Sequence, residues 1–332
     1  MGSAKAMRGM LTAFLKTAVT AWLFFFLFRK VDFHQFGAIL RSARVDVLLL
    51  AFLLLWGGHY MCIFRWRMLM RPLMPVLSLA HLFAIYCIGL FFNLIFPTVV
   101  GGDVVKMYYA GKPSRLYAQS FAATFLDRDA GMLAMMLIAC AITVIHPIRV
   151  PGIPVNLIIW ASFFLFVLAN VFIFAPSLHR LLTRVLQAFK LARVAMKIDA
   201  ISNAFQTMGQ HWFILAGSLA ISLVNQVVAI SVTWVLAEAL ALHISLIDFL
   251  LFVPVITLIS MIPISLNGMG LREYAFMSLL GAIGTAPASC VALGLLSSIF
   301  IILSSLPGGV VYIFFRNRTD MQGMAALESD FS

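Results

Sequence analysis

The run LFAIYCIGLFFNLIFPTVVGGDVVKMYYAG (residues 82–111) decides the fold. Its first half is almost wholly apolar and reads as membrane. Pro97, Gly101, Gly102, Asp103 and Lys106 then interrupt it within FPTVVGGDVVK (96–106). Proline cannot donate a backbone hydrogen bond, and glycine opens a helix. Backbone groups freed inside a bilayer must be buried in protein or line a wet cavity. The run therefore predicts a helix that breaks at 97–103 and restarts near 103–111. Asp103 is placed to cap the restart. Lys106 falls in its first turn, where the positive helix end disfavours a cation and an anion is needed beside it. Exposed N–H groups at a helix start suit phosphate.

Composition supports the membrane reading. Of 332 residues, 63% are hydrophobic and 11% charged, against about 25% charged in soluble domains. The formal net charge of +11 follows from cytoplasmic loops rich in Lys and Arg, with anionic lipid head groups as their counter-charge. Nucleic acid is not expected as a partner. Cys62, Cys87, Cys140 and Cys290 lie apart in apolar runs and read as packing residues. The first apolar stretch lacks a cleavage site of the signal-peptide kind.

A span needs about twenty apolar residues. Spans are predicted near 10–28, 45–64, 119–145, 154–175, 211–239 and 286–315. Segments 31–44 and 178–209 are amphipathic and read as surface helices. Basic loops orient the chain. Segment 176–210, the tail after 316, and Arg65, Arg67 and Arg71 belong to the cytoplasmic side. Trp66 in RWR (65–67) reads as a head-group anchor. The chain from 76 to 118 then enters from the cytoplasm and returns to it. The chain from 247 to 285 enters from the opposite side and returns there. The expected fold is all-α and polytopic, with about six full transmembrane helices and two re-entrant broken hairpins. Residues 1–316 form a single transmembrane domain with approximate halves 1–175 and 176–316, and 317–332 form a short polar tail.

The second hairpin repeats the first. PTVVGGDVVK (97–106) aligns with PISLNGMGLR (263–272). Pro97 matches Pro263, Gly101 faces Asn267, Gly102 matches Gly268 and Lys106 matches Arg272. Gly270 and Glu273 complete the second run. Broken segments at corresponding places in opposite orientation mark an inverted-repeat transporter. A third charged group, Asp127–Arg128–Asp129, lies inside span 119–145. Successive helical residues diverge by about 100°. Either Arg128 faces the bundle, one aspartate pairing with it and the other reaching the interface, or the span starts near 130 and the triplet is interfacial.

These residues resemble the lysylphosphatidylglycerol synthase transmembrane-region family, which includes the flippase-like membrane domain of the multiple peptide resistance factor. The resemblance rests on RW (65–66), N-x-x-x-P (93–97), GGD (101–103) with a basic residue at 106, DR (127–128), P-x-S-x-x-G-x-G-x-R-E (263–273) and LPGG (306–309). The family usually carries arginine where Lys106 stands, and Glu-Arg where Asp127-Arg128 stands. Both changes keep the charge. The resemblance implies movement of a lipid or lipid-linked head group between leaflets of a plasma membrane, bacterial or archaeal. The tail after Arg316 is too short for the aminoacyltransferase domain of the resistance factor. A stand-alone member is expected, not an enzyme and without a cofactor.

The substrate-binding residues on this reading are Lys106, Arg128 and Arg272, held when empty by Asp103, Asp127, Asp129 and Glu273. The partners are anionic phospholipids or polyprenyl-phosphate-linked lipids. No nucleotide-binding G-x-x-x-x-G-K-[ST] run occurs, so transport would be passive or ion-coupled. Two other readings stay open. One is an integral membrane enzyme acting on a lipid phosphate, with Asp127 and Asp129 on a metal. The other is a non-transporting partner of a separate lipid-modifying enzyme.

Overall fold

A computed structural model of the chain describes residues 37–39, 41–96, 100–145, 154–175, 192–262, 264–265 and 268–329, with the single positions 22, 25 and 183. Side chains are described as far as 315, apart from those at 192–193. The expected first span (10–28) apart from positions 22 and 25, half of segment 31–44, and Pro97, Pro263 and Asn267 lie outside the described residues.

The described chain is helical. Its elements are α1 (Val45–Met70), α2 (Leu79–Ile95), α3 (Gly101–Gly111), α4 (Tyr117–Ile145), α5 (Val155–Phe174), α6 (Ala192–Gly209), α7 (Trp212–Ala239), α8 (Leu246–Ser260), α9 (Leu271–Ala282) and α10 (Pro287–Ser329). Among the described residues five helices are long and apolar enough to cross a membrane: α1, α4, α5, α7 and the Pro287–Phe315 part of α10. The chain is a multi-pass membrane protein.

The two shorter pairs, α2–α3 and α8–α9, are the broken hairpins. Their entry helices begin alike. Ser78 accepts a hydrogen bond from the His81 backbone N–H at 3.3 Å, and Ser245 accepts one from the Ile247 N–H at 3.2 Å. Both serines are N-caps that satisfy an otherwise orphaned donor. The breaks differ in detail. Gly268 (φ +74°) and Gly270 (φ +83°) turn the chain through a backbone region that favours glycine. Gly101 and Gly102 do not open the chain as their sequence suggests, because α3 already begins at Gly101. They serve close approach instead. The Gly102 N–H donates to Asn93 Oδ1 at 2.7 Å, and a methyl group there would overlap the Gly89 carbonyl oxygen.

Two apolar cores divide the molecule. One gathers Ile63, Trp66 and Leu69 of α1, Leu82, Ile85 and Tyr86 of α2, Ala122 and Ala123 of α4, and Phe205 and Met208 of α6. The other gathers Ala51 of α1, Ala139 and Cys140 of α4, Ile230, Val232, Val235 and Leu236 of α7, and the buried faces of α8, α9 and α10. Helices α1 and α4 contribute to both cores, each through a different end. The α2–α3 hairpin packs in one core and the α8–α9 hairpin in the other. The broken hairpins therefore sit toward opposite ends of the long helices, as an inverted repeat requires. Half of the basic segment 178–209 is seen as α6, which packs on α4.

Helix α10 closes against α2 through LPGG. A methyl group at Gly308 would overlap the Cys87 carbonyl oxygen, and one at Gly309 would lie 2.8 Å from the Phe91 ring. Overpacking of this kind costs about 1–3 kcal/mol or more. Gly308→Val should lower the thermal unfolding midpoint in detergent clearly. Gly209→Ala, where nothing lies within 4 Å of the added carbon, should leave packing intact and serves as the control. An unshifted midpoint for Gly308→Val would refute the close α2–α10 contact.

Candidate functional site

Charged side chains in the first core form a connected group. Helix α3 presents Asp103 and Lys106 one turn apart on the same face. Lys106 Nζ meets Asp103 Oδ1 at 2.7 Å. Arg128, on α4, meets Asp103 Oδ2. One carboxylate thus holds two cations and ties the restarted helix to α4. Lys106 is buried, and its ammonium lies 5.2 Å from the Tyr86 ring centre and 5.5 Å from that of Trp66. Its aliphatic stem crosses Gly89, where an added carbon would meet it at 2.6 Å.

Arg65 extends the group. It is only 4% exposed. Its Nε–H donates to Asp127 Oδ1 at 2.7 Å, and its terminal nitrogen donates to Ser222 Oγ at 2.6 Å. Ser222 passes its own proton to the Ser218 carbonyl at 2.7 Å. Trp66 beside it is fully buried, with its indole N–H donating to Thr124 Oγ1 at 3.1 Å. Among the described residues, three cations (Arg65, Lys106 and Arg128) face two carboxylates (Asp103 and Asp127).

Several sequence expectations change here. Arg65 and Trp66 are internal and do not anchor the head-group layer, because α1 runs through Met70 instead of ending at 64. Arg128 pairs with Asp103 and not with its neighbours in the triplet. Asp127 turns to Arg65. Asp103 is the third residue of α3 and not its cap, and Lys106 falls in the second turn and not the first. The signal for Arg65 was present in IFRWRMLM (63–70), where apolar residues continue on both sides of the arginines.

The second hairpin builds a different arrangement. Glu273 is wholly buried. Its Oε2 accepts from the Gly270 backbone N–H at 2.6 Å, and its Oε1 accepts from Ser298 Oγ at 2.7 Å. It therefore caps α9 from within, the role that its sequence position three residues after Gly270 favours. Ser298 in turn receives Arg272 at 3.1 Å. Among the described residues no carboxylate lies within ion-pair distance of the Arg272 guanidinium, whose polar partner is the Ser298 hydroxyl. Arg272 lines a cavity of about 350 Å³. The structure thus brings Lys106 and Arg128 together on Asp103 and leaves Arg272 at a separate place, facing open volume.

Among the described residues no three His, Cys, Asp or Glu side chains converge as a metal site requires. Asp127 and Asp129 diverge. Asp129 lines another cavity, of about 590 Å³, between α4, α5, α6 and α7. The four cysteines are free thiols.

An all-helical bundle with several membrane-length helices and two broken hairpins, one carrying the buried Lys106 and the other the half-buried Arg272, defines a polytopic membrane protein. The family model described as lysylphosphatidylglycerol synthase TM region matches residues 13–308. The chain belongs to this family. No curated protein and no solved structure matches the chain.

The Arg65–Asp127 contact has a measurable consequence. Removing one partner of a buried pair costs about 3–5 kcal/mol, whereas apolar replacement of both is often near neutral. Arg65→Met and Asp127→Leu should each depress the unfolding midpoint strongly, and the double variant should recover most of the loss. Additive losses in the double-mutant cycle would refute the pairing.

Proposed function

We propose that the chain is a lipid translocator of the plasma membrane. It moves an anionic phospholipid, or a polyprenyl-phosphate-linked lipid, between leaflets without altering it chemically. The observation that carries this reading is Arg272. Of the three cations singled out in the sequence, Lys106 and Arg128 both meet the Asp103 carboxylate. Arg272 instead contacts a neutral hydroxyl and faces the 350 Å³ cavity.

A guanidinium inside a membrane protein is costly and needs a counter-charge. A lipid phosphate supplies one and forms charge-assisted hydrogen bonds with it. Ser298, Glu273 and the Gly270 N–H fix the arginine's surroundings from behind. Arg272 is thereby oriented before the ligand arrives, which lowers the ordering cost of binding. The lipid tails would stay in hydrocarbon while the head group passes. The family's description, which names a lipid synthase's membrane region, agrees with a lipid ligand.

The test uses purified full-length chain in liposomes holding acyl-labelled phosphatidylglycerol, with a membrane-impermeant quencher reporting the outer leaflet. The wild-type chain should expose the whole labelled pool to the quencher. Arg272→Ala should slow this by about a hundredfold, corresponding to about 2.7 kcal/mol of lost phosphate contact, and Arg272→Lys should retain part of the rate. Wild-type speed in a folded Arg272→Ala chain would remove Arg272 from the site, and a flat wild-type trace would remove translocation itself.

A further inference from the structure

The walls of the Arg272 cavity carry a second kind of information, and it concerns the head group beyond its phosphate. Five neutral polar residues line the cavity with Arg272: Gln226 and Thr233 of α7, Thr257 and Ser260 of α8, and Ser297 of α10. Three of them have already committed their protons. Thr257 Oγ1 donates to the Val253 carbonyl at 2.8 Å, Ser260 Oγ to the Ile256 carbonyl at 2.7 Å, and Ser297 Oγ to the Leu293 carbonyl at 2.8 Å. A hydroxyl whose proton is held by its own helix offers only its oxygen lone pairs to a ligand. Gln226 and Thr233 have no hydrogen-bond partner among the described residues, so their polar groups are also available.

The cavity therefore has one cationic donor, three hydroxyls that offer only acceptors, and Gln226 and Thr233, which can donate or accept. Among the described residues no carboxylate lines it. Glu273, the acid next in sequence to Arg272, has both oxygens engaged by Gly270 and Ser298. A ligand that fits must bring an anion for Arg272 and neutral hydrogen-bond donors for the wall. An ammonium group would find no counter-charge there, and a buried unpaired charge is strongly disfavoured. A trimethylammonium group would in addition bring no N–H.

We propose that the site selects a phosphodiester whose head group carries free hydroxyls, of the glycerol or sugar kind, over zwitterionic lipids and over anionic lipids with a bare ester. This rests on the translocator reading for its lipid, but it concerns recognition alone and is tested by binding. The phosphate meets Arg272, and the head-group hydroxyls donate to Thr257, Ser260 and Ser297. A polar donor that meets a dedicated acceptor separates ligands more sharply than apolar contact does, because its absence leaves buried acceptors unpaired.

The test compares three short-chain lipids on the full chain in detergent, with binding read from the rise in unfolding midpoint as each is titrated. Dioctanoyl phosphatidylglycerol and dioctanoyl phosphatidylmethanol share one negative charge and differ in the hydroxyls. Dioctanoyl phosphatidylcholine is zwitterionic. Phosphatidylglycerol should bind about tenfold or more tighter than either, each factor of ten being one lost interaction of ordinary size. The Thr257→Val/Ser297→Ala double variant should shrink its lead over phosphatidylmethanol to about twofold, the remainder resting on Ser260 and Gln226. Equal binding of phosphatidylmethanol or phosphatidylcholine would overturn the selectivity. So would a lead that survives the double variant. Free glycerol 3-phosphate, run alongside, should stabilise the chain far less, and parity with the lipid would overturn a lipid as the ligand. If liposomes show no translocation while phosphatidylglycerol keeps its lead, the translocator reading fails and the recognition site stands.

Discussion

A charge surrounded by hydrocarbon is tolerable only beside its opposite. Asp103 meets that condition for two cations at once, Lys106 on its own helix and Arg128 on the next. Much of the first half depends on this carboxylate. It fixes α3 against α4, and it holds the Lys106 ammonium over the faces of Trp66 and Tyr86. That in turn requires Gly89 under the lysine stem, and Gly102 against the α2 backbone. The GGD run is therefore one device. Two glycines let the returning helix approach, and the aspartate locks it once it is there.

The two hairpins apply the same architecture to different ends. In the first, the acid binds cations and the helix start is satisfied through Asn93. In the second, the acid satisfies the helix start, and the cation is left to a hydroxyl. This exchange of roles separates a group whose cations pair with carboxylates from one that faces a cavity with its cation on a hydroxyl. The sequence repeat alone suggests that Lys106 and Arg272 are equivalents, but their surroundings differ.

The helices were legible because hydrocarbon imposes length and apolarity, and because proline and glycine mark breaks. The described spans other than α1, and the first restart, fall within a few residues of their expected places, and Gly268 and Gly270 turn the chain as glycines there suggest. The pairings were less legible. Arg65 looked like a flanking residue because a span of ordinary length ends at 64, and nothing local says that α1 continues to Met70. Asp127 and Asp103 are distant from their partners in sequence, so the choice of cation is made by helix packing. The acceptor character of Thr257, Ser260 and Ser297 also depends on where each hydroxyl proton goes, which composition does not encode.

The Arg65 contacts bear on how the chain is made. Asp127 lies 62 residues beyond Arg65, and Ser222 lies 157 residues beyond it. Synthesis proceeds from the N-terminus, so α1 leaves the ribosome well before either partner exists. A bare arginine in a spanning helix costs about 2.5–3.5 kcal/mol on insertion scales. Helix α1 is apolar enough elsewhere to carry that burden for a time, but it lacks its charge partner until α4 follows. The interval between the two helices is thus a period in which α1 is poorly settled in the bilayer, and the emergence of α4 ends it.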